Sequence, residues 1–187
     1  MLGPLIAFAL GVLASLALGG SLRSFGEVRF RLLPLFALSL VVPAVAAFGP
    51  LGEEFRSYGV TLIVASNILL IAFAVANRRI PGLALVAAGV FLNALVITVN
   101  GAMPVESSAA NDVASTQAVG SIKHEPLTSA TRLPWLADRL PVDLTNQVLS
   151  VGDLLLVIGV GAMGFGIPRG SPRAEIPRRR SSSGAAA

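Results

Sequence analysis

Five long uncharged runs, separated by short charged connections, constrain this chain more than any other feature. The runs are Met1–Leu22, Leu32–Gly52, Ser57–Asn77, Ile80–Val105 and Leu154–Pro168. A helix needs about 20 apolar residues to cross roughly 30 Å of hydrocarbon. The first four runs reach that length. The fifth is shorter, so its helix must begin near Val148 to Val151 and carry Asp153 in its opening turns. Of the 187 residues 54% are hydrophobic and 13% charged, with a mean hydropathy of +0.78. A soluble domain averages about 25% charged residues; this chain has too few to cover a surface in water. The expected fold class is all-α, a five-helix transmembrane bundle with spans at about 2–20, 32–51, 58–77, 80–100 and 149–167. An outer loop at 104–147 joins the fourth and fifth helices, and residues 168–187 form a disordered basic cytoplasmic tail.

The connections alternate in charge. Arg23, Arg29 and Arg31 stand against Glu27, then Glu53 and Glu54 outnumber Arg56, then Arg78 and Arg79 follow. In the long loop Glu106, Asp112, Glu125, Asp138 and Asp143 exceed Lys123, Arg132 and Arg139, and the tail is arginine-rich. Lys and Arg favour the cytoplasmic side of a membrane. The expected placement is a multi-pass protein of the cytoplasmic (plasma) membrane, with the N-terminus outside and the C-terminus in the cytoplasm. Met1–Leu22 has no basic residue ahead of its apolar run; the first is Arg23, behind it. Cleaved signals have the reverse polarity, so this run reads as a retained span.

The chain has no cysteine and one histidine. That excludes disulfides, thiolate metal sites and a cysteine nucleophile, and no metal or cofactor is expected. The net charge of +4 lies at helix ends and in the tail, which argues against nucleic acid as a partner. The expected partner is the lipid bilayer, with a membrane protein or a second copy of the chain beside it. Two small-residue stripes bear on packing. Gly3, Ala7, Gly11, Ser15 and Gly19 recur at every fourth position, and Gly152, Gly159 and Gly166 at every seventh. Such stripes let helix backbones approach closely in lipid, and both read as internal seams or, alternatively, as a homodimer face.

Polar groups inside a span are informative because hydrocarbon offers them no partner. Asn67, Asn93 and Asn100 qualify. Asn67 and Asn93 read first as interhelical hydrogen-bond formers, and Asn100, followed by Gly101, as a helix stop. Ser150-Val151-Gly152-Asp153 fits a capping box, with Ser150 as N-cap and Asp153 reaching back to its N–H. Asp153 is also the one acidic residue within a span and a candidate cation ligand or base. His124, beside Lys123 and Glu125, reads as a solvated loop residue or as a catalytic partner of Asp153. The segment Leu133-Pro134-Trp135-Leu136 has an interfacial character, so the long loop is expected to fold back over the helix ends.

Four ordered segments also carry a resemblance. They are Gly19-Gly20-Ser21-Leu22-Arg23; Asn100-Gly101-Ala102-Met103-Pro104-Val105; Lys123-His124 with Thr131-Arg132-Leu133-Pro134; and Ser150-Val151-Gly152-Asp153. Together, over residues 1–166, the chain resembles a family of small bacterial multi-pass membrane proteins carrying a domain of unknown function. In that family the second segment usually reads Asn-Gly-Gly-x-Met-Pro, and Ala102 departs from it. The resemblance implies an integral membrane fold and carries no activity with it.

Three functions are compatible with these residues. The first is a non-enzymatic membrane module that binds a partner or small ligand at its outer face, with Asn93, Asn100, Met103, Lys123, Thr131 and Ser150 as candidate ligand-binding residues. The second is a membrane-embedded enzyme acting at the outer leaflet, with His124 as acid or base, Asp153 as its orienter and Asn100 or Lys123 stabilising an oxyanion. The third is a small transporter. Ion pumps need relays of buried ionisable groups, and here Asp153 stands alone within the spans.

Overall fold

The computed structural model describes residues 2–48, 58–106, 124–142 and 147–170, and only the backbone at 43, 45–48, 124 and 147. The described residues are mostly helical. The helices are α1 (Gly3–Ala17), α2 (Arg23–Glu27), α3 (Leu33–Phe48), α4 (Gly59–Ala76), α5 (Leu83–Asn100) and α6 (Val151–Gly166). Among the described residues α4, α5 and the stretch Val151–Arg169 are long and apolar enough to cross a membrane. The apolar helix α1 and the segment Leu33–Val42 of α3 are shorter. The last expected span ends in a 3-10 turn, Ile167–Arg169, and residues 171–187 of the expected tail lie outside the described residues.

These helices are apolar nearly all round, and large side chains point outward. Leu5, Leu10, Leu13, Ile68, Phe91 and Ile158 are all exposed. A helix that is hydrophobic on every face fits a core or a membrane rather than water.

Packing runs in the order α1–α6–α5–α4–α3. Missing side chains set the two tightest seams. On α5 and α6, a Cβ on Gly89 would run into the backbone of Gly152 and Leu156, and one on Gly159 into Gly82 and Val86. Gly166 faces Pro81 in the same seam. On α1 and α6, Gly11 lies against the backbone of Gly161 and Phe165, and Gly164 against Phe8. Both stripes are therefore internal seams, with α6 using opposite sides for its two neighbours. Gly19 departs from its stripe. It takes φ +87° with open space around its Cβ position, and it ends the turn after α1.

The all-α expectation needs correction in the long connection. Here β1 (Met103–Val105) pairs in parallel with β2 (His124–Pro126), and β3 (Leu140–Val142) pairs antiparallel with β4 (Gln147–Leu149). Gly101, at φ 85°, stops α5 and turns the chain. Pro104 then follows within three residues, and a proline there disfavours renewed helix. Ala102 and Met103 are buried, so this backbone must find partners other than water. Strand pairing supplies them. On the second edge of β1 the Asp138 N–H donates to the Pro104 carbonyl at 2.9 Å, and the Glu106 N–H to the Asp138 carbonyl at 3.0 Å.

The two ends of the bundle differ in charge. One end collects Arg23, Arg29, Arg31, Arg78, Arg79 and Arg169 against Glu27. The other carries Glu106, Glu125, Asp138 and Asp153 with Arg132 and Arg139. They are called below the arginine end and the acidic end.

Candidate functional site

The N-terminus of α6 builds the acidic end. Ser150 adopts an extended backbone (φ −87°, ψ 171°), as an N-cap requires. Its hydroxyl accepts the Asp153 N–H at 2.9 Å, and the Asp153 carboxylate accepts the Ser150 N–H at 3.0 Å. The capping box read from the sequence is present in full. Asn93 on α5 extends it across the seam, its amide donating to Asp153 Oδ1 at 2.9 Å. The Ser150 hydroxyl lies 3.0 Å from Asn93 Oδ1 and 2.9 Å from Asp153 Oδ2. A hydroxyl has one proton to give. Given to Asn93, it leaves Asp153 Oδ2 with the Ser150 N–H and no acceptor orphaned. Ser150 is fully buried. Gly152 makes the approach feasible, since a Cβ there would collide with the Asn93 side chain.

Asp138 completes this end, and sequence reasoning missed it. It is 5% exposed and held by its backbone against β1. Burial, followed by the negative charge of Asp153, pushes its carboxyl up to about 8. In the sequence it reads as an ordinary charge in an acidic loop. Its neighbours Leu136 and Ala137, both 2% exposed, were the available signal. Next to it Arg139 pairs with Glu106 at 3.0 Å on the surface and holds the Glu106 carboxyl below its usual range.

The remaining candidates divide. Asn100 stands apart from the Asn93 group. Its amide donates to the carbonyls of Val96 and Arg132, both at 2.9 Å, and its oxygen accepts the Arg132 N–H at 2.8 Å. Residues 131–136 are thereby fastened to the end of α5, where Leu136 and Met103 join a core cluster with Val96 and Ile97. Thr131 serves its own turn, accepting the Thr128 N–H at 2.9 Å. Met103 is core, and its Cα partner in the sheet is His124. Lys123 lies outside the described residues, as does the side chain of His124. Among the described residues no group of three His, Cys, Asp or Glu side chains comes together in a way that would hold a metal.

Asn67 was expected to bond between helices, but Ser66 does so instead. The Ser66 hydroxyl donates to the Ser39 carbonyl across the α3–α4 seam. Asn67, one residue and about 100° further round the helix, is half-buried. Asn77 was also missed. Buried at the end of α4, it donates to the carbonyls of Phe73 and Arg31 and accepts the Arg31 N–H, all at 2.8 Å. The signal was legible: Asn77-x-x-Ile80-Pro81 repeats as Asn100-x-x-Met103-Pro104.

Comparison with known proteins agrees with this picture at the level of family. The model of a family of unknown function, DUF5317, matches residues 27–164. An uncharacterized protein of Thermotoga maritima is 32% identical over 160 residues, covering 83% of this chain and 84% of that protein. No solved structure matches the chain. With most of its length matched on both counts, the chain belongs to the DUF5317 family of unknown function.

Proposed function

We propose that the chain is a multi-pass protein of the cytoplasmic membrane, a non-enzymatic module that binds a partner or small ligand at its acidic, outward-facing end. In this reading α1 and α3 to α6 all cross the bilayer. The short helices α1 and α3 are lengthened by flanking apolar residues such as Leu2, Leu18 and Leu32, all exposed. The arginine end faces the cytoplasm, as the preference of Lys and Arg for that side requires. The bundle occupies residues 1–167, the loop 104–147 closes its outer end, and the tail lies in the cytoplasm.

One observation carries the choice of a module over an enzyme. Both oxygens of Asp153 are engaged, Oδ1 by Asn93 and Oδ2 by Ser150. A general base needs a free oxygen within reach of the proton it takes. A carboxylate committed to a helix cap and a seam is built for position.

Two measurements test this reading. The chain has no cysteine, so single cysteines report topology cleanly. Ser129→Cys is expected to react with an impermeant maleimide in intact cells, and Ser182→Cys only after permeabilisation. Equal labelling of both would overturn the orientation. For the module, Asp153→Ala is expected to lower protein abundance, and His124→Ala to leave abundance and host phenotype intact. Loss of phenotype at normal abundance in both variants would favour the enzyme.

A further inference from the structure

We infer that the arginine end holds a binding site for a phosphate group, that of an anionic phospholipid, in a groove between the end of α1 and the turn after α6. The site is remote from the acidic end, and the choice of a lipid as ligand rests on the membrane-spanning reading above.

The groove has a volume of about 290 Å³ and is lined by Leu18, Gly19, Gly20, Ser21, Ser24 and the segment Pro168–Gly170. Its two walls are fixed to each other. The Ser21 N–H donates to the Pro168 carbonyl at 2.7 Å, and the Ser24 hydroxyl reaches the same oxygen at 3.5 Å. Glycine keeps it open. Gly19 and Gly170 have left-handed φ values of +87° and +88° and open space where a Cβ would stand. Gly20 admits no side chain, since a Cβ would meet the Ser15 hydroxyl at 2.6 Å and Pro168 at 3.1 Å. The Ser15 hydroxyl beneath it is fully buried and has no hydrogen-bond partner among the described residues. A polar group in that state costs about 1–3 kcal/mol, so the fold keeps this corner polar at some expense.

The chemistry suits an oxyanion. Arg169 stands at the rim, its guanidinium 5.0 Å from the centre of the Phe165 ring, which holds it in place. Ser21 and Ser24 offer hydroxyl donors. One effect opposes an anion: α1 and α6 both end here, and each helix C-terminus carries roughly half a negative charge. Arg23, Arg29, Arg31, Arg78, Arg79 and Arg169, set against Glu27 alone, outweigh those two termini. Arginine is also the side chain whose donor geometry matches phosphate.

The surroundings favour a lipid over free phosphate. Leu18 and Leu22 are 63% and 57% exposed beside the groove, and Leu10 and Leu13 are exposed further along α1. An acyl chain running along that face would leave its headgroup phosphate at the groove. Anionic headgroups draw basic residues near the surface by about 1 kcal/mol each.

The test uses the full purified chain in non-ionic detergent, with melting followed on addition of phosphatidylglycerol, phosphatidylcholine or inorganic phosphate at matched concentration. Phosphatidylglycerol is expected to raise Tm by several degrees more than phosphatidylcholine. Arg169→Gln and Ser21→Asp are each expected to remove most of that difference. A tail variant, Arg178→Gln with Arg179→Gln and Arg180→Gln, is expected to keep it. Equal shifts from the two lipids overturn the proposal, as does a difference that survives both groove variants or vanishes in the tail variant. Inorganic phosphate that reproduces the lipid shift would assign the groove to free phosphate and overturn the lipid. A chain that purifies in buffer without detergent would overturn the membrane reading itself, a distinct outcome.

Discussion

Asn100 grips the backbone of Arg132 from both sides, donating to its carbonyl at 2.9 Å and accepting its N–H at 2.8 Å. At the opposite end of the bundle Asn77 does the same to Arg31. The likeness goes further. The residues after the two arginines, Leu32 and Leu133, have left-handed φ values of 56° and 55°. Each accepts the N–H of the residue three positions on, Leu35 and Leu136, at 2.9 Å. One device thus fastens a connecting segment to a helix end at both faces of the molecule. The asparagine satisfies a last-turn carbonyl of its own helix and both polar groups of a neighbouring peptide, as a buried helix terminus requires.

Removing the clasp should release the segment it holds. Asn100→Ala leaves the Arg132 peptide and the Val96 carbonyl without these bonds, which costs about 1–3 kcal/mol. Hydrogen exchange is expected to accelerate over residues 127–139 while the middle of α5 stays protected. Unchanged exchange in that stretch would show that the clasp holds nothing.

The left-handed leucines separate strain from packing. The conformation costs an L-residue about 1–2 kcal/mol, and glycine relieves it. Leu32 is 55% exposed, so Leu32→Gly is expected to raise stability by up to about 1 kcal/mol after the entropy of the unfolded glycine is counted. Leu133 packs on the cluster around Val96 and Leu136. There the lost contacts, about 2–5 kcal/mol for a buried leucine, exceed the strain relieved, and Leu133→Gly should destabilise. Melting of both variants in one detergent tests the contrast in sign.

Glycines of the α5–α6 seam should tolerate no side chain. A Cβ on Gly89 meets helix backbone, which cannot rotate away. Gly89→Ala is therefore expected to cost about 1–3 kcal/mol, the usual range for overpacking. Gly26 on α2 has open space around it. Gly26→Ala is expected to be neutral or mildly stabilising, since alanine favours helix by about 1 kcal/mol over glycine. Equal Tm changes in the two variants would contradict the seam.

Asp138 makes stability depend on pH. Its carboxyl titrates at about 8 in the folded chain, against an ordinary value of 3.8. Between those values the folded state keeps a proton that the unfolded state has released. Stability from this group therefore falls as pH rises through that window and levels off above it. The neighbouring Asp153 charge acts in the same direction. Asp138→Asn is expected to flatten the decline in Tm between pH 5 and pH 8 (~3 units within that window). An undiminished slope in the variant would place its origin elsewhere.

Local features were legible from residues alone. The apolar runs, the stop at Asn100-Gly101, the box at Ser150–Asp153 and the small-residue stripes all depend on a few neighbouring residues and on the solvent around them. Such patterns survive in a one-dimensional reading because a cap or a stripe is complete within two or three turns. What the sequence did not disclose were pairings between distant segments. Whether Ser66 or Asn67 faces α3 depends on how two helices are rotated against each other. The burial of Asp138 depends on a strand edge built from Pro104 and Glu106, more than thirty residues earlier. The Arg31 and Arg132 peptides meet their asparagines only once the helices stand side by side, because a buried backbone group must take whatever partner the tertiary arrangement brings within reach.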